Sequence, residues 1–218
     1  MKTYSENLQM LADFKVILWD FDGVLMDSNA VRDLGFEKVL AEFPPEQVAA
    51  LLDYHRKNGG LSRYVKFRYF FQTIRNEPIK ASEIMVWAGK FSEIMRQLLV
   101  NPDLLIEDSM AFVRAHYHEI PMHIVSGSDQ EELRFLCQEM GIDQYFVSIQ
   151  GSPTPKIELV TGVLTQNAYS KENTVLVGDS LNDLDAALNN GINFIGYNNL
   201  ELKNTGLQYI VNFKNTIS

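Results

Sequence analysis

Residues 15–28 read KVILWDFDGVLMDS: an apolar run ends on Asp20, a second aspartate, Asp22, follows two positions on, and Gly23 stands behind it. The run at 15–20 does not alternate apolar with polar. It reads as a strand buried on both faces, as strands of a parallel sheet are. Working outward, similar short runs lie at 123–126 (after Pro121), 146–150, 174–178 and 192–197. Helical patterns at 130–140, 156–166 and 181–189 separate them, the last stopped by Asn190-Gly191. Strand and helix in alternation imply an open, doubly wound α/β sheet of the Rossmann-like kind.

Residues 29–100 break that rhythm. They contain no strand pattern and four helical ones, at 31–43, 45–57, 61–75 and 81–99, divided by Pro44-Pro45, Asn58-Gly59-Gly60 and Glu77-Pro78. The expected organisation is therefore an α/β core from 1–28 and 101–218, with a smaller helical domain, 29–100, inserted just after the first strand.

Composition narrows the function classes. The 218 residues are 46% hydrophobic and 22% charged, ordinary for a soluble globular chain of one core plus a small accessory domain. The first residues lack the charged-then-apolar pattern of a secretory signal, and no apolar run approaches the ~18 residues of a membrane span. The single cysteine, Cys137, falls in a helical pattern and reads as a small buried hydrophobe; with no partner for a disulfide, a cytoplasmic setting is expected. A net charge of −9 argues against nucleic acid and anionic membrane as partners. It leaves a small anionic substrate open, since a local cluster or a bound metal reverses the sign of a pocket.

Open α/β sheets carry their chemistry at the carboxyl ends of their strands. Asp20-Phe21-Asp22-Gly23 follows the first strand, Ser126-Gly127-Ser128-Asp129 the second, and Gly178-Asp179-Ser180-Leu181-Asn182-Asp183 the fourth; Thr154-Pro155-Lys156 precedes a helix. Singly, each has an ordinary structural reading as a turn, a helix cap or a solvated lysine. All four in this order, each at a strand end or helix start, make a set that such readings do not explain.

As a set they resemble the haloacid-dehalogenase superfamily, its phosphatase branch in particular, over essentially the whole chain, with 29–100 in the place of that family's cap. The resemblance implies a nucleophilic Asp20 that becomes an aspartyl-phosphate, dividing one hard step into two. It implies Asp22 as general acid and base, also lending its backbone carbonyl to a metal. Ser126 and the Gly127 N–H would bond the phosphoryl oxygens, and Lys156 would neutralise the phosphate and Asp20. Asp179 would be a direct metal ligand, with Asp183 the second acid of that motif. Four carboxylates, of Asp20, Asp22, Asp179 and Asp183, facing a phosphate call for a cation, and hard oxygen ligands suit Mg²⁺. An acid at position 22 weakens a dehalogenase reading, and Phe21 after the nucleophile weakens one as an ion-pumping ATPase.

The stretch 54–76 has no acidic residue but six Lys and Arg. At helical spacing Arg63 shares a stripe with Phe67, Phe70 and Ile74, Lys66 flanks it, and Arg68 and Arg75 turn away. By resemblance to related phosphatases, whose early cap loop selects the substrate, Arg63 and Lys66 are expected to contact its polar or anionic part. A snorkelling arginine is the plain alternative. The tyrosines and phenylalanines of this stretch read as cap core, and His55, His116, His118 and His123 match no motif.

The expected activity is thus Mg²⁺-dependent hydrolysis of a small phosphorylated metabolite, a sugar phosphate or phosphoglycolate-like compound, by a monomer or homodimer. A phosphomutase of the β-phosphoglucomutase type uses the same residues, and a non-catalytic binding protein on the same fold is the third reading.

Overall fold

The computed structural model describes Leu11 and residues 14–213. Six strands, β1 (Val16–Trp19), β2 (Met122–Asp129), β3 (Ser148–Ser152), β4 (Thr174–Gly178), β5 (Asn193–Tyr197) and β6 (Tyr209–Ile210), form one parallel sheet in the order β3-β2-β1-β4-β5-β6. In β1 the side chains alternate between two buried apolar layers. Ile17 and Trp19 enter one, Val16 and Leu18 the other. A strand covered on both faces has no polar side, which is why 15–20 reads as an unbroken apolar run.

From β1 the chain builds outward through β2 and β3 on one side and through β4, β5 and β6 on the other. Connections that leave in opposite directions open a crevice above the carboxyl ends of β1 and β4.

Four helices lie between β1 and the rest of the core: α1 (Asn29–Val39), α2 (Pro45–Lys57), α3 (Arg63–Tyr69) and α4 (Ala81–Leu99). Helices α5 (Glu107–His116), α6 (Gln130–Glu139), α7 (Lys156–Gln166), α8 (Leu181–Asn190) and the short α9 (Leu200–Lys203) cover the sheet. Gly191 ends α8 in the left-handed conformation, as the Asn-Gly signal requires. Cys137 is fully buried among apolar side chains.

Several elements differ from the sequence expectation. Helix α1 stops at Val39 instead of 43, because Pro44 disfavours helical backbone in the residue before it and the chain turns back through Phe43 N–H to the Leu40 carbonyl. The single helix expected over 61–75 is α3 followed by a π-helical turn over Phe70–Ile74, closed by Arg75 N–H on the Phe70 carbonyl. That widened turn lets the adjacent Phe70 and Phe71 both pack on Phe43. Helix α5 and strand β6 were not anticipated; two residues are too few to show a period.

Candidate active site

The crevice gathers the four motifs. Asp20 ends β1, 2% exposed, and its Oδ1 lies 2.8 Å from Lys156 Nζ. Lys156, the first residue of α7, also pairs with Asp183 Oδ1. The other Asp183 oxygen accepts from the Ser180 N–H at 3.0 Å and hydroxyl at 2.6 Å, so one carboxylate caps α8 and fixes the lysine. Gly23 is glycine for two reasons: its φ is +78°, and a Cβ there would stand 2.0 Å from Asp179 Oδ2. Burial, and then the neighbouring Asp183, push the Asp20 carboxyl up to about 7 against the pull of Lys156. Burial and the adjacent Asp20 raise Asp179 as well. Burial works against the charge on Lys156, yet Asp183 and Asp20 outweigh it and keep the ammonium ionised.

Asp22 is held differently. Its Oδ1 accepts from the Ser28 hydroxyl and, at 2.7 Å, from Arg32 Nε; its Oδ2 accepts from the Ser128 hydroxyl at 2.5 Å. Burial opposes its ionisation, but the Arg32 guanidinium and the two hydroxyls prevail and hold the carboxyl at about 2. Three donors thus fix an ionised Asp22.

The helical segment closes over these residues. Gly60, in the turn between α2 and α3, accepts from Asn182 Nδ2 at 3.1 Å through its carbonyl, and that oxygen lies against Gly127, where a Cβ would come within 2.0 Å of it. Gly127→Ala is therefore expected to lift the 58–62 turn off the core. Hydrogen exchange at Leu61 and Ser62 should quicken by tenfold or more while β1 and β4 keep their protection; unchanged exchange would show that the contact adjusts.

Arg63 and Lys66, expected at the substrate, are both buried and both line the crevice. The Arg63 guanidinium is engaged on the core: Nη1 donates to Glu132 Oε2 at 2.5 Å and Ser92 Oγ at 2.7 Å, Nη2 to Glu132 Oε1 at 2.7 Å, and the group sits 4.6 Å from the centre of the Phe91 ring. The guanidinium that the sequence expectation aims at the substrate is bonded to Glu132, while the residue still lines the cavity. Arg32 Nη1 donates to the same carboxylate at 3.0 Å. Glu132, fully buried on α6, therefore ties α1 and α3 to the core. Beside it Tyr64 Oη donates to Asp129 Oδ2 at 2.6 Å.

Neither Arg32 nor Glu132 stood out in the sequence. Arg32 carries the very signal that picked Arg63, a cation one turn before Phe36 on an apolar stripe. Glu132 stands three residues after Asp129, the spacing of a capping box. The cap half is real, since Asp129 Oδ1 accepts from Glu132 N–H at 3.0 Å, but the glutamate side chain turns to the two arginines instead.

Asp20, Asp22, Arg32, Lys66, Ser126 and Gly127 are among the residues around one cavity of about 50 Å³.

A model of the haloacid dehalogenase-like hydrolases matches residues 17–197, which spans both the sheet and the helical segment. The chain belongs to that family. It is 26% identical over 192 residues to the pyrophosphatase PpaX of Listeria innocua, covering 83% of this chain and 81% of that protein. Among solved structures, β-phosphoglucomutase of Clostridium difficile superposes with a TM-score of 0.71 at 15% identity, over 94% of this chain and 93% of that one. CbbY of Rhodobacter sphaeroides, solved in complex with xylulose-1,5-bisphosphate, gives 0.70 at 18%, over 92% and 95%. At those identities the structures show a shared fold.

This hydrolase has a donor set that fits a divalent cation. Asp20, Asp179 and Asp183 bring carboxylate oxygens within 4.8 Å of one another, all hard ligands, and the upward push on Asp20 and Asp179, from burial first and from neighbouring carboxylates second, is a penalty such an ion relieves. The Asp22 carboxylate is not among the three; its side chain is engaged by Arg32, Ser28 and Ser128, and only its backbone carbonyl is left for a metal. Among the described residues no helix is long and apolar enough to cross a membrane.

Proposed function

We propose that this hydrolase is a phosphatase for a small phosphorylated metabolite, with Asp20 as the nucleophile and residues 29–100 as a cap over the site. The observation that carries this is the placing of Asp20: a buried carboxylate at the end of the central strand, 2.8 Å from a lysine and on the wall of the same cavity as Ser126 and Gly127.

In the first step an Asp20 oxygen bonds to phosphorus and the bond from phosphorus to the leaving oxygen breaks. In the second, water attacks phosphorus, the Asp20–phosphorus bond breaks, phosphate departs and Asp20 is regenerated. Lys156 offsets the charge of both the nucleophile and the phosphoryl oxygens, and the Ser126 hydroxyl and Gly127 N–H bind those oxygens. Ionised Asp22 is set to accept the proton of the attacking water. For it to donate a proton to the leaving oxygen in the first step, the Arg32 pair must give way, which favours substrates whose leaving group departs with little protonation. Phosphoanhydrides are of that kind, and the PpaX relative is named a pyrophosphatase. Mg²⁺ fits on Asp20, Asp179 and Asp183, where it would absorb charge developing on the phosphoryl group.

The test is phosphate release from an aryl phosphate and from a panel of phosphorylated metabolites including pyrophosphate. Turnover is expected with Mg²⁺ and a loss of at least ~10²-fold on chelation, reversed by adding the ion back. Full activity after exhaustive chelation would remove the metal from the reading, and isomerised sugar phosphate in place of free phosphate would mark a mutase.

A further inference from the structure

Of the three carboxylates that fit a cation, two are held by side chains. Asp20 is paired with Lys156 at 2.8 Å. Asp183 pairs with the same lysine and accepts from the Ser180 N–H and hydroxyl. The Asp179 carboxylate makes no hydrogen bond or ion pair among the described residues. It is aimed through its own backbone and through what packs against it, and two successive asparagines just past β5 hold both. Asn199 Nδ2 donates to the Asp179 carbonyl at 2.7 Å. Asn198 Nδ2 donates at 2.9 Å to the carbonyl of Gly23, the residue whose backbone lies so close to Asp179 that a Cβ on it would stand 2.0 Å from Oδ2. Consecutive side chains of a strand point to opposite sides. Asn198 takes the left-handed conformation, with φ at +53°, which asparagine tolerates better than most residues, and the turn there lets both amides reach the crevice loops. Asn199 is itself anchored: its N–H donates to the Tyr209 hydroxyl at 3.0 Å, and its Oδ1 accepts from the Glu201 N–H at 2.9 Å.

We infer that Asn199 is a positioning residue for the metal site, fixing the backbone of Asp179 so that its free carboxylate meets the ion, and that Asn198 supports it by fixing Gly23 alongside. This rests on the reading of Asp20, Asp179 and Asp183 as the Mg²⁺ ligands of a phosphatase. Asp20 and Asp183 keep their places through Lys156 and Ser180; a ligand with no side-chain partner moves with its backbone. Mg²⁺ demands near-ideal octahedral geometry, while Ca²⁺ accepts more oxygens in looser arrangements. The two asparagines therefore contribute more to binding Mg²⁺ than to binding Ca²⁺, and they set the selectivity of the site as well as its affinity. Neither belongs to the four motifs read from the sequence, and neither is among the residues lining the cavity.

The experiment reads ion binding, so it does not depend on turnover. Mg²⁺ and Ca²⁺, each alone, are titrated calorimetrically into the wild type, Asn199→Ser and Asn198→Gly. Serine keeps an acceptor for the Glu201 N–H, so the turn stays capped, but it is too short to reach the Asp179 carbonyl. Glycine keeps the left-handed backbone at 198 and loses the amide. Removing a group that orients a metal ligand typically costs about 10–100-fold in affinity, so Asn199→Ser should weaken Mg²⁺ by ~10-fold or more and Ca²⁺ by ~3-fold or less. Asn198→Gly acts only through Gly23 and should weaken Mg²⁺ in the same direction by less; it carries the same test of selectivity if Asn199→Ser does not fold. Melting without metal is the folding control, and Asn199→Ser should melt within a few degrees of the wild type. Raising Mg²⁺ should also restore its hydrolysis of an aryl phosphate. Unchanged Mg²⁺ affinity in Asn199→Ser, or equal losses for the two ions, overturns the inference. A wild type that binds no Mg²⁺ removes the metal site and this inference with it. A wild type that binds Mg²⁺ with the expected split between variants, yet releases phosphate from nothing, loses the phosphatase reading alone.

Discussion

Asp20→Asn is expected to lower turnover by about 10⁴-fold or more, because the amide keeps the shape of the side chain and loses the nucleophile. In the wild type, acid quenching during turnover should trap a phosphorylated protein whose label maps to the peptide carrying Asp20. Label on another residue, or substantial activity in the variant, would refute the assignment. The same substitution has an opposite effect on stability, and its sign can be worked out. The Asp20 carboxyl sits at about 7 in the folded protein, above its ordinary 3.8. Between those values the folded state binds more protons than the unfolded one, so stability falls as pH rises, and the full cost is present above about 7. Neutral Asn removes it. Under chelation at pH 8 the variant should therefore melt above the wild type, with Lys156 still anchored by Asp183. A dead variant with a raised melting point separates loss of chemistry from loss of fold, which a dead variant with a lowered one does not.

How far the sequence reaches can be seen at particular positions. β1, β2, β4 and β5 show as apolar runs because a strand covered on both faces has few polar positions to break the pattern; β3, at the sheet edge, is half-buried over Ser148–Gln150 and begins two residues into the apolar run at 146–150. Lys156 and Asp183 are legible because each opens or caps a helix next to a strand end, where spacing along the chain fixes position in space. Arg32, Arg63 and Glu132 are different. The partners in the Arg63–Glu132 pair are 69 residues apart, and nothing local says that a basic residue on a helix of the insert meets an acid on a helix of the core. The sequence shows that Arg63 is on a buried stripe; which of two ligands for a guanidinium it finds, substrate or Glu132, depends on how the insert closes. Lys66 looked like the lesser neighbour of Arg63.

The partners of Arg32 and Arg63 set a buried ion-pair network between the helical segment and the core, beside the apolar cluster that the two share. Arg32 reaches Asp22 with one edge and Glu132 with another, so the orientation of the proposed acid–base residue is set by a group on the insert that is itself held by the core. Arg32 is also the largest of the influences that favour the ionised form of Asp22.

Glu132→Gln is accordingly expected to be the most destabilising single change at the interface. Glu132 is fully buried and is the shared counter-charge of Arg32 and Arg63, both at least nine-tenths buried. The amide retains the volume and one acceptor but no charge, and two guanidinium groups are left against a single carboxylate, that of Asp22. Removing one partner of a buried ion pair typically costs about 3–5 kcal/mol, since the desolvation penalty of the remaining charge is no longer offset. For a chain of this size that is a fall in Tm on the order of 10 °C. The test is a double-mutant cycle by thermal or denaturant unfolding. Replacing the pair together, as Glu132→Met with Arg63→Met, removes both charges, and the double variant should be more stable than Glu132→Gln alone, with a coupling of 1 kcal/mol or more between the two sites. Additive losses would show that the arginine contributes through its packing on Phe91 and not through Glu132. A Glu132→Gln protein that melts with the wild type would show that water or a shifted Asp129 replaces the lost charge, and that the insert is held to the core by its apolar contacts.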